Sequence, residues 1–413
     1  MKMMKNNLNK TFWWLVGFTD GDGSFTCYTS KMNKIMSFKL NYHLHKDDLI
    51  CLNNIKIMLN CSTNIYLEKD NSARLMISNH KFLLETIIPI FDKYPCLTIK
   101  HYSYLKWKES LLYYTSNNKE NWLLNSEKNK LINNYKLIEN IDIPYELMNI
   151  NWLIGFIEAE GHLNFNPGNK SKMTVRSFLT ITQHERSLNT LKAIQNFMNT
   201  WTYSNNTPLP IKLFLDEKLN IHDNWVFLSK MSKLDVYTLS INNMDMLYYI
   251  VLPKLEAEQW YSRKKDDFIM WKTALTIIIK GLHNTNEGMN LLNILYDNMN
   301  KKRYNKQYDI PYEMINKVIN MTPIYSPYLP YEINTTIKVK KSGGVYMYDL
   351  KGNLFKVFKG ASTAGLFFNM KRHQVLYYIN NNRIINNNYI LKDYNYFIKN
   401  YKNKKMMNTK LIK

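Results

Sequence analysis

The sequence predicts an α+β protein made of two related halves with antiparallel sheets, followed by a small C-terminal helix-turn-helix module. Three observations predict this architecture. A motif near the N-terminus returns once at a constant offset, strand-like alternation follows it, and a separate hairpin-and-helix pattern begins near residue 343.

The repeat is the strongest of the three. "WLVGFTDGDG" at 14–23 aligns with "WLIGFIEAEG" at 152–161, so that Asp22 stands opposite Glu160. Further echoes keep the same order: "HKDDL" at 45–49 with "HERSL" at 184–188, Lys100 with Lys264, and "DIPYE" at 142–146 with "DIPYE" at 309–313. The offset grows between Gln183 and Lys264, which predicts an insertion in the second copy around "NNTPLPIKLFLDEKLNIHD".

Each half then reads as helix, two strands, helix, two strands, helix. "FKLNYHLH" at 38–45 alternates, with Phe38, Leu40, Tyr42 and Leu44 on one face and Lys39, Asn41, His43 and His45 on the other. That is a sheet with one packed face and one polar, partly cationic face, and helices covering one side complete an α+β half.

Alternate acids followed by glycine also open calcium loops, and that reading fails on its own spacing. Counted from Asp20, the sixth position is Phe25 instead of the turning glycine, and the twelfth is Lys31 instead of the closing glutamate. A calcium loop would also leave unexplained why the apolar run before the acids is copied.

Spacing within the motif suggests another role. Gly17 and Gly21, like Gly155 and Ala159, are four apart and give each motif helix a stripe of small residues, which predicts that the two helices pack on each other. Gly23 and Gly161 are expected to end the helices in left-handed turns, leaving Asp22 and Glu160 at adjacent C-terminal tips. Carboxylates there face the negative ends of the helix dipoles and repel each other. Divalent cations between them would relieve both effects, with phosphate oxygens completing the shell in phosphodiester hydrolysis.

With two such motifs, residues 11–275 resemble the single-chain LAGLIDADG homing endonucleases. The resemblance implies a pseudo-twofold pair of αββαββα halves in one monomer, whose saddle-shaped sheets straddle the major groove of a long double-stranded DNA site. It implies that Asp22 and Glu160 hold Mg2+ or Mn2+ over the minor groove and each serve the cutting of one strand, with Asp20 and Glu158 structural. Gln183, Lys100 and Lys264 would be catalytic through the water network, Lys265 being an alternative to Lys264. Leu44 stands where Gln183 would have its counterpart, which predicts unequal cutting of the two strands. The same fold is implied to serve as an RNA maturase for group I introns, the runner-up function; retention of both tip acids favours cleavage.

Composition agrees with a polyanion partner. Lys and Arg number 55 against 33 Asp and Glu, a net charge of +22. The candidate nucleic-acid contacts are Lys31, Lys34, Lys39 and Asn41 in the first half and Lys170, Lys172 and Arg176 in the second. The richness in Lys, Asn, Ile and Tyr follows AT-rich codons and suggests an organellar genome, hence a mitochondrial matrix location. Cys27, Cys51, Cys61 and Cys96 have neither zinc spacing nor a disulfide pattern. Apolar runs are too short for a membrane span, so a soluble protein is expected.

The expected division is 1–146 and 147–282 for the halves, 283–342 for a poorly defined connector, 343–395 for the module and 396–413 for a basic tail. Within the module, "GGVYMYDLKGNLFKVF" reads as a hairpin turning at Gly352-Asn353, and "STAGLFFN" and "KRHQVLYYI" as two short helices. It resembles the nuclease-associated modular repeats, which implies DNA contacts from Lys371, Arg372 and Gln374.

Overall fold

A computed structural model describes residues 2–29, 36–116, 142–168, 175–208, 211–212, 215–216, 225–231, 234–300, 309–324, 344–350, 352, 354–358, 360–386, 388–393 and 396. Lys31, Lys34, Lys170 and Lys172 lie outside the described residues.

The first half runs α1 (Lys2–Asp22), β1 (Gly23–Thr29), β2 (Met36–His45), α2 (Leu49–Leu59), β3 (Ile65–Leu67), β4 (Ser72–Ile77), α3 (His80–Phe82), α4 (Ile88–Lys93) and α5 (Lys100–Ser116). In the second half come α6 (Ile150–Glu160), β5 (Gly161–Asn166), β6 (Arg176–His184), α7 (Leu188–Asn199), β7 (Phe227–Lys230), β8 (Val236–Ile241), α8 (Met244–Met246), α9 (Leu252–Glu256) and α10 (Lys264–Ile279). The sheets are ordered β1-β2-β4-β3 and β5-β6-β8-β7, antiparallel throughout. Strand for strand they are the same sheet built twice.

Alternation in β2 settles its two faces: Phe38, Leu40 and Tyr42 are fully buried, while Lys39 and Asn41 are half-buried and His43 is exposed. On that polar face Lys39 Nζ sits 4.9 Å from the ring centre of Tyr28. The predicted insertion is found between α7 and β7. Between α7 and β7 stand residues 200–226, against 60–64 between α2 and β3 in the first half, and among the described ones Trp201, Ile211, Leu215 and Trp225 are buried.

Helices α1 and α6 form the seam between the halves. A Cβ on Gly17 would lie 2.0 Å from the Trp152 carbonyl oxygen, and one on Gly155 would lie 2.1 Å from that of Trp14. At Gly21 it would meet the Ala159 side chain at 2.3 Å. Backbones this close exclude any larger residue, which is why the small stripe is present in both copies.

The expected left-handed turns do not occur. Gly161 is extended at φ −72° and ψ 149°, and Gly23 likewise leads straight into β1 without a positive φ. Glycine is needed for a different reason: a Cβ would strike the preceding helical turn, at 2.5 Å from Thr19 Cγ2 for Gly23 and 2.7 Å from the Ile157 oxygen for Gly161. Helix and strand meet at a corner too tight for a side chain.

Among the described residues beyond the second half, two helices follow. Helices α11 (Asn286–Asp297) and α12 (Tyr312–Ile319) pack against α10 and bury Leu291, Leu292, Leu295, Ile315 and Val318. Pro144 and Pro311, in the two "DIPYE" copies, share φ −77° with ψ 69° and 67°, so each copy starts a helical turn in the same way. The C-terminal module contains β9 (Val345–Asp349), β10 (Leu354–Phe358), α13 (Ala361–Phe368), α14 (Arg372–Asn380), β11 (Ile384–Ile385) and β12 (Tyr389–Lys392). The two last strands, unforeseen from sequence, complete a sheet of order β10-β9-β12-β11 around its own small core of Met347, Phe358, Val375 and Leu391.

Candidate active site

Each motif carries two acids, and the seam treats them differently. Asp20 is buried and accepts hydrogen bonds from the Leu97 backbone N–H at 2.7 Å, Thr98 Oγ1 at 2.6 Å and Trp152 Nε1 of the opposite motif at 2.8 Å. Glu158 repeats this arrangement with Tyr261 N–H at 2.9 Å, Ser262 N–H at 2.5 Å and Trp14 Nε1 at 2.8 Å. Burial raises both carboxyls, and the three donors pull each back down. Each acid therefore ties together its own half, the loop before the last helix and the facing motif.

Among the described residues, the outer acids have no such cradle. Asp22 and Glu160 share a cavity of about 580 Å³ at the end of the seam with Leu44, Asp48 and Lys264. Asp22 opens to solvent through this cavity, yet the protein packed around it and the neighbouring Glu160 carboxylate push its carboxyl up to about 7, against the pull of Lys264 and Lys100. Two carboxylates held this close make a poor resting arrangement but a ready set of hard oxygen ligands. The donor chemistry fits a divalent cation.

Lys100 and Lys264 begin α5 and α10, each with its backbone N–H accepted by a hydroxyl two residues earlier, Thr98 Oγ1 at 3.1 Å and Ser262 Oγ at 3.2 Å. Lys100 Nζ donates to the Thr19 oxygen at 2.8 Å, the Gly21 oxygen at 2.9 Å and the Gly23 oxygen, while Lys264 Nζ donates to the Gly161 oxygen. Each ammonium thus sits at the negative end of a motif helix. Burial lowers both ammonium groups, and neighbouring carboxylates resist the shift. Lys265 lies on α10 beside Lys264.

Of the sequence candidates, the cavity brings together Asp22, Glu160, Lys264 and Leu44. Leu44 belongs to the first half and Lys264 to the second, so this centre is composite. Gln183 is half-buried on β6 opposite Tyr237 and does not line the cavity; it aligns with Leu44, as Lys100 aligns with Lys264. Arg176 is exposed on β6, and Lys371, Arg372 and Gln374 are exposed at the start of α14, where Gln374 Oε1 accepts from the Lys371 N–H at 2.7 Å. Sequence reasoning missed Asp48, Arg263 and Asn300 in the cavity wall. The Asp48/Ser187 difference was visible in "HKDDL" against "HERSL", but nothing local announced what would meet it.

The profile of the LAGLIDADG endonuclease family matches residues 15–111 and 153–224, one motif in each match. The uncharacterized mitochondrial protein RF1 of Saccharomyces cerevisiae is 43% identical over 94% of this chain and 83% of its own length. The chain belongs to the LAGLIDADG endonuclease family. A probable intron-encoded endonuclease, Cox1-I1b of Schizosaccharomyces pombe, is 33% identical over 41% of this chain and 45% of its own length. In fold, the chain is similar to the I-SmaMI LAGLIDADG homing endonuclease bound to cleaved DNA, at a TM-score of 0.57 and 20% identity, covering 71% of this chain and 97% of that one. It is also similar to I-LtrWI bound to target DNA, at a TM-score of 0.56 and 18% identity, covering 71% and 99%.

Proposed function

We propose that this chain is a site-specific, divalent-metal-dependent endonuclease acting on double-stranded DNA in the mitochondrial matrix. The observation that carries the proposal is the pair of crowded tip acids, Asp22 and Glu160, sharing one cavity at the end of a two-helix seam. Family membership, the mitochondrial and intron-encoded descriptions of similar proteins, and the DNA-bound state of the two fold neighbours support it. We also propose that residues 1–146 and 147–282 act as the two halves of one monomer, that 343–395 is a further DNA-contacting unit, and that 283–342 and 396–413 link and extend them.

In this reading Asp22 and Glu160 would hold Mg2+ or Mn2+, which would supply Lewis acidity and a more acidic bound water for phosphodiester hydrolysis. The chain's own residues do the rest. Lys100 and Lys264 offset the negative helix ends beside the reacting phosphates, and Gln183 orients water on its side, a task Leu44 cannot perform on the other. The sheets bind and hold the duplex through Lys39, Asn41 and Arg176, together with Lys31, Lys34, Lys170 and Lys172, while Lys371, Arg372 and Gln374 extend the contact.

The test is incubation of the purified protein with a library of randomised duplexes in magnesium, followed by sequencing of the cut ends. A single enriched site with short 3′ overhangs is expected. Random ends, or none in protein that still binds duplex DNA, would refute the reading.

A further inference from the structure

Two pseudo-equivalent loops lead into the last helices of the halves, and they are secured differently. Loop 261–263 touches the first half by three devices: the Tyr261 ring centre lies 4.8 Å from that of Trp14, Asn54 Nδ2 donates to the Tyr261 oxygen at 2.7 Å, and Arg263 spreads its guanidinium over two acids. The Arg263 Nη1 is 3.3 Å from Asp47 Oδ2 and its Nη2 is 3.2 Å from Asp48 Oδ2, with the Arg263 side chain 13% exposed. In the other half, Ile99 aligns with Arg263, and Arg186 and Ser187 align with Asp47 and Asp48. There the seam has a hydrogen bond from Thr190 Oγ1 to the Leu97 oxygen at 3.2 Å and, among the described residues, no ion pair between loop 97–99 and residues 185–187.

We propose that Arg263 with Asp47 and Asp48 is a one-sided latch between the halves, positioning Lys264 and making the Leu44–Lys264 centre distinct from its twin. Asp48 lines the cavity with Asp22 and Glu160, and its charge reaches Lys264. The planar fork of arginine suits two carboxylates at once, so it holds Asp48 away from the ammonium. Without that cation Asp48 competes with the Gly161 oxygen for Lys264 Nζ, and the lysine leaves the helix tip. The loop itself remains tied by Glu158, which accepts from the Tyr261 and Ser262 backbones. Arg263 is thus a positioning residue, acting through its neighbour.

Only the rate consequence of the latch rests on the nuclease reading, so the test has two arms. In the first, lysine acetylation of the full chain is followed by mass spectrometry. Arg263→Ala should raise labelling of Lys264 about threefold or more, leaving Lys100 within about twofold; adding Asp48→Asn to it, which removes the competing carboxylate, should return the labelling to near the wild-type level, and Arg263→Lys, a point cation without the fork, should restore part of the protection. Unchanged Lys264 labelling, or an equal rise at both lysines, overturns the latch. In the second, single-turnover cutting of a duplex selected by the wild type is resolved by strand. One strand should slow about tenfold at saturating enzyme with half-saturation unchanged, whereas equal slowing of both strands overturns the one-sidedness. If the wild type cuts no duplex, the nuclease reading fails and the labelling arm alone decides the latch.

Discussion

Asp20 and Asp22 stand two residues apart on α1, as Glu158 and Glu160 do on α6, yet the inner and outer pairs live under different physics. Each inner acid has three donors and a buried setting; each outer acid lies on a solvent-open cavity shared with another carboxylate. Identical residue types two positions apart have been separated by just over half a helical turn, which points them to opposite sides of the helix. The inner pair spends its charge holding the halves together, and the outer pair keeps its charge available.

Neutralising each pair in turn should separate the two roles most sharply. Asp22→Asn or Glu160→Gln should lower cutting of at least one strand by about 10²–10³-fold or more, because a lost metal ligand removes charge stabilisation at the reacting phosphate. DNA affinity, which comes mostly from phosphate contacts elsewhere, should stay within about tenfold. Chelation of divalent metal should have the same effect on the wild type. Strand-resolved cleavage and a binding titration check all three; undiminished double-strand cutting by the double variant would remove the outer pair from the chemistry.

Neutralising the inner pair should act on stability instead. Asp20→Ala leaves the Leu97 N–H and Trp152 Nε1–H buried without their acceptor, at a cost of about 3 kcal/mol. For a unit of this size that lowers the melting temperature by about 5–10 °C, measured by calorimetry. Cutting assayed well below the transition should persist. A variant that melts normally but fails to cut would show that inner and outer acids share one function.

These two levels were not equally legible in the sequence. The small-residue stripe and the doubled acids could be read because close helix approach and shared chemistry restrict residue type at each position. What the inner acids bind could not, since Leu97, Tyr261 and Ser262 contribute backbone N–H groups, which any non-proline residue supplies. Gly23 and Gly161 were legible as glycines and misread in conformation, because a tight corner and a left-handed turn leave the same mark. Strands β11 and β12 were too short, at two and four residues, to show a period. Helices α11 and α12 bury ordinary leucines and isoleucines, but the Asn- and Tyr-rich composition around them blurred their apolar faces.

The two outer acids differ in their surroundings. Gln183 has Leu44 as its counterpart, and Leu44 lines the cavity with Lys264. One strand should therefore be cut about tenfold faster, with a nicked species accumulating. Gln183→Leu should equalise the rates by slowing the faster strand, while Glu160→Asp should equalise them if the length of the acid causes the difference. Persistent inequality in Gln183→Leu would take that residue out of the water network.

The smallest expected effect separates the pairs by proton binding in metal-free protein. The Asp22 carboxyl is pushed up to about 7 from an ordinary value of 3.8, so in the window between these values the folded chain holds a proton that the unfolded chain has released. Stability then falls as pH rises, the sign required when the native state binds more protons, and the loss is complete above about 7. Solvent access through the cavity screens the effect, so the slope attributable to Asp22 should be well under one proton. Asp20 and Glu158 are also raised, by burial, and contribute slopes of the same sign. The informative quantity is therefore the difference between wild type and Asp22→Asn in melting temperature across pH 4–8. The difference should grow in favour of the variant toward pH 7 and shrink or reverse when magnesium is added, since a cation between Asp22 and Glu160 removes the repulsion that the variant was relieving. Parallel curves with and without magnesium would mean that these two carboxylates neither repel each other in the folded chain nor share a metal.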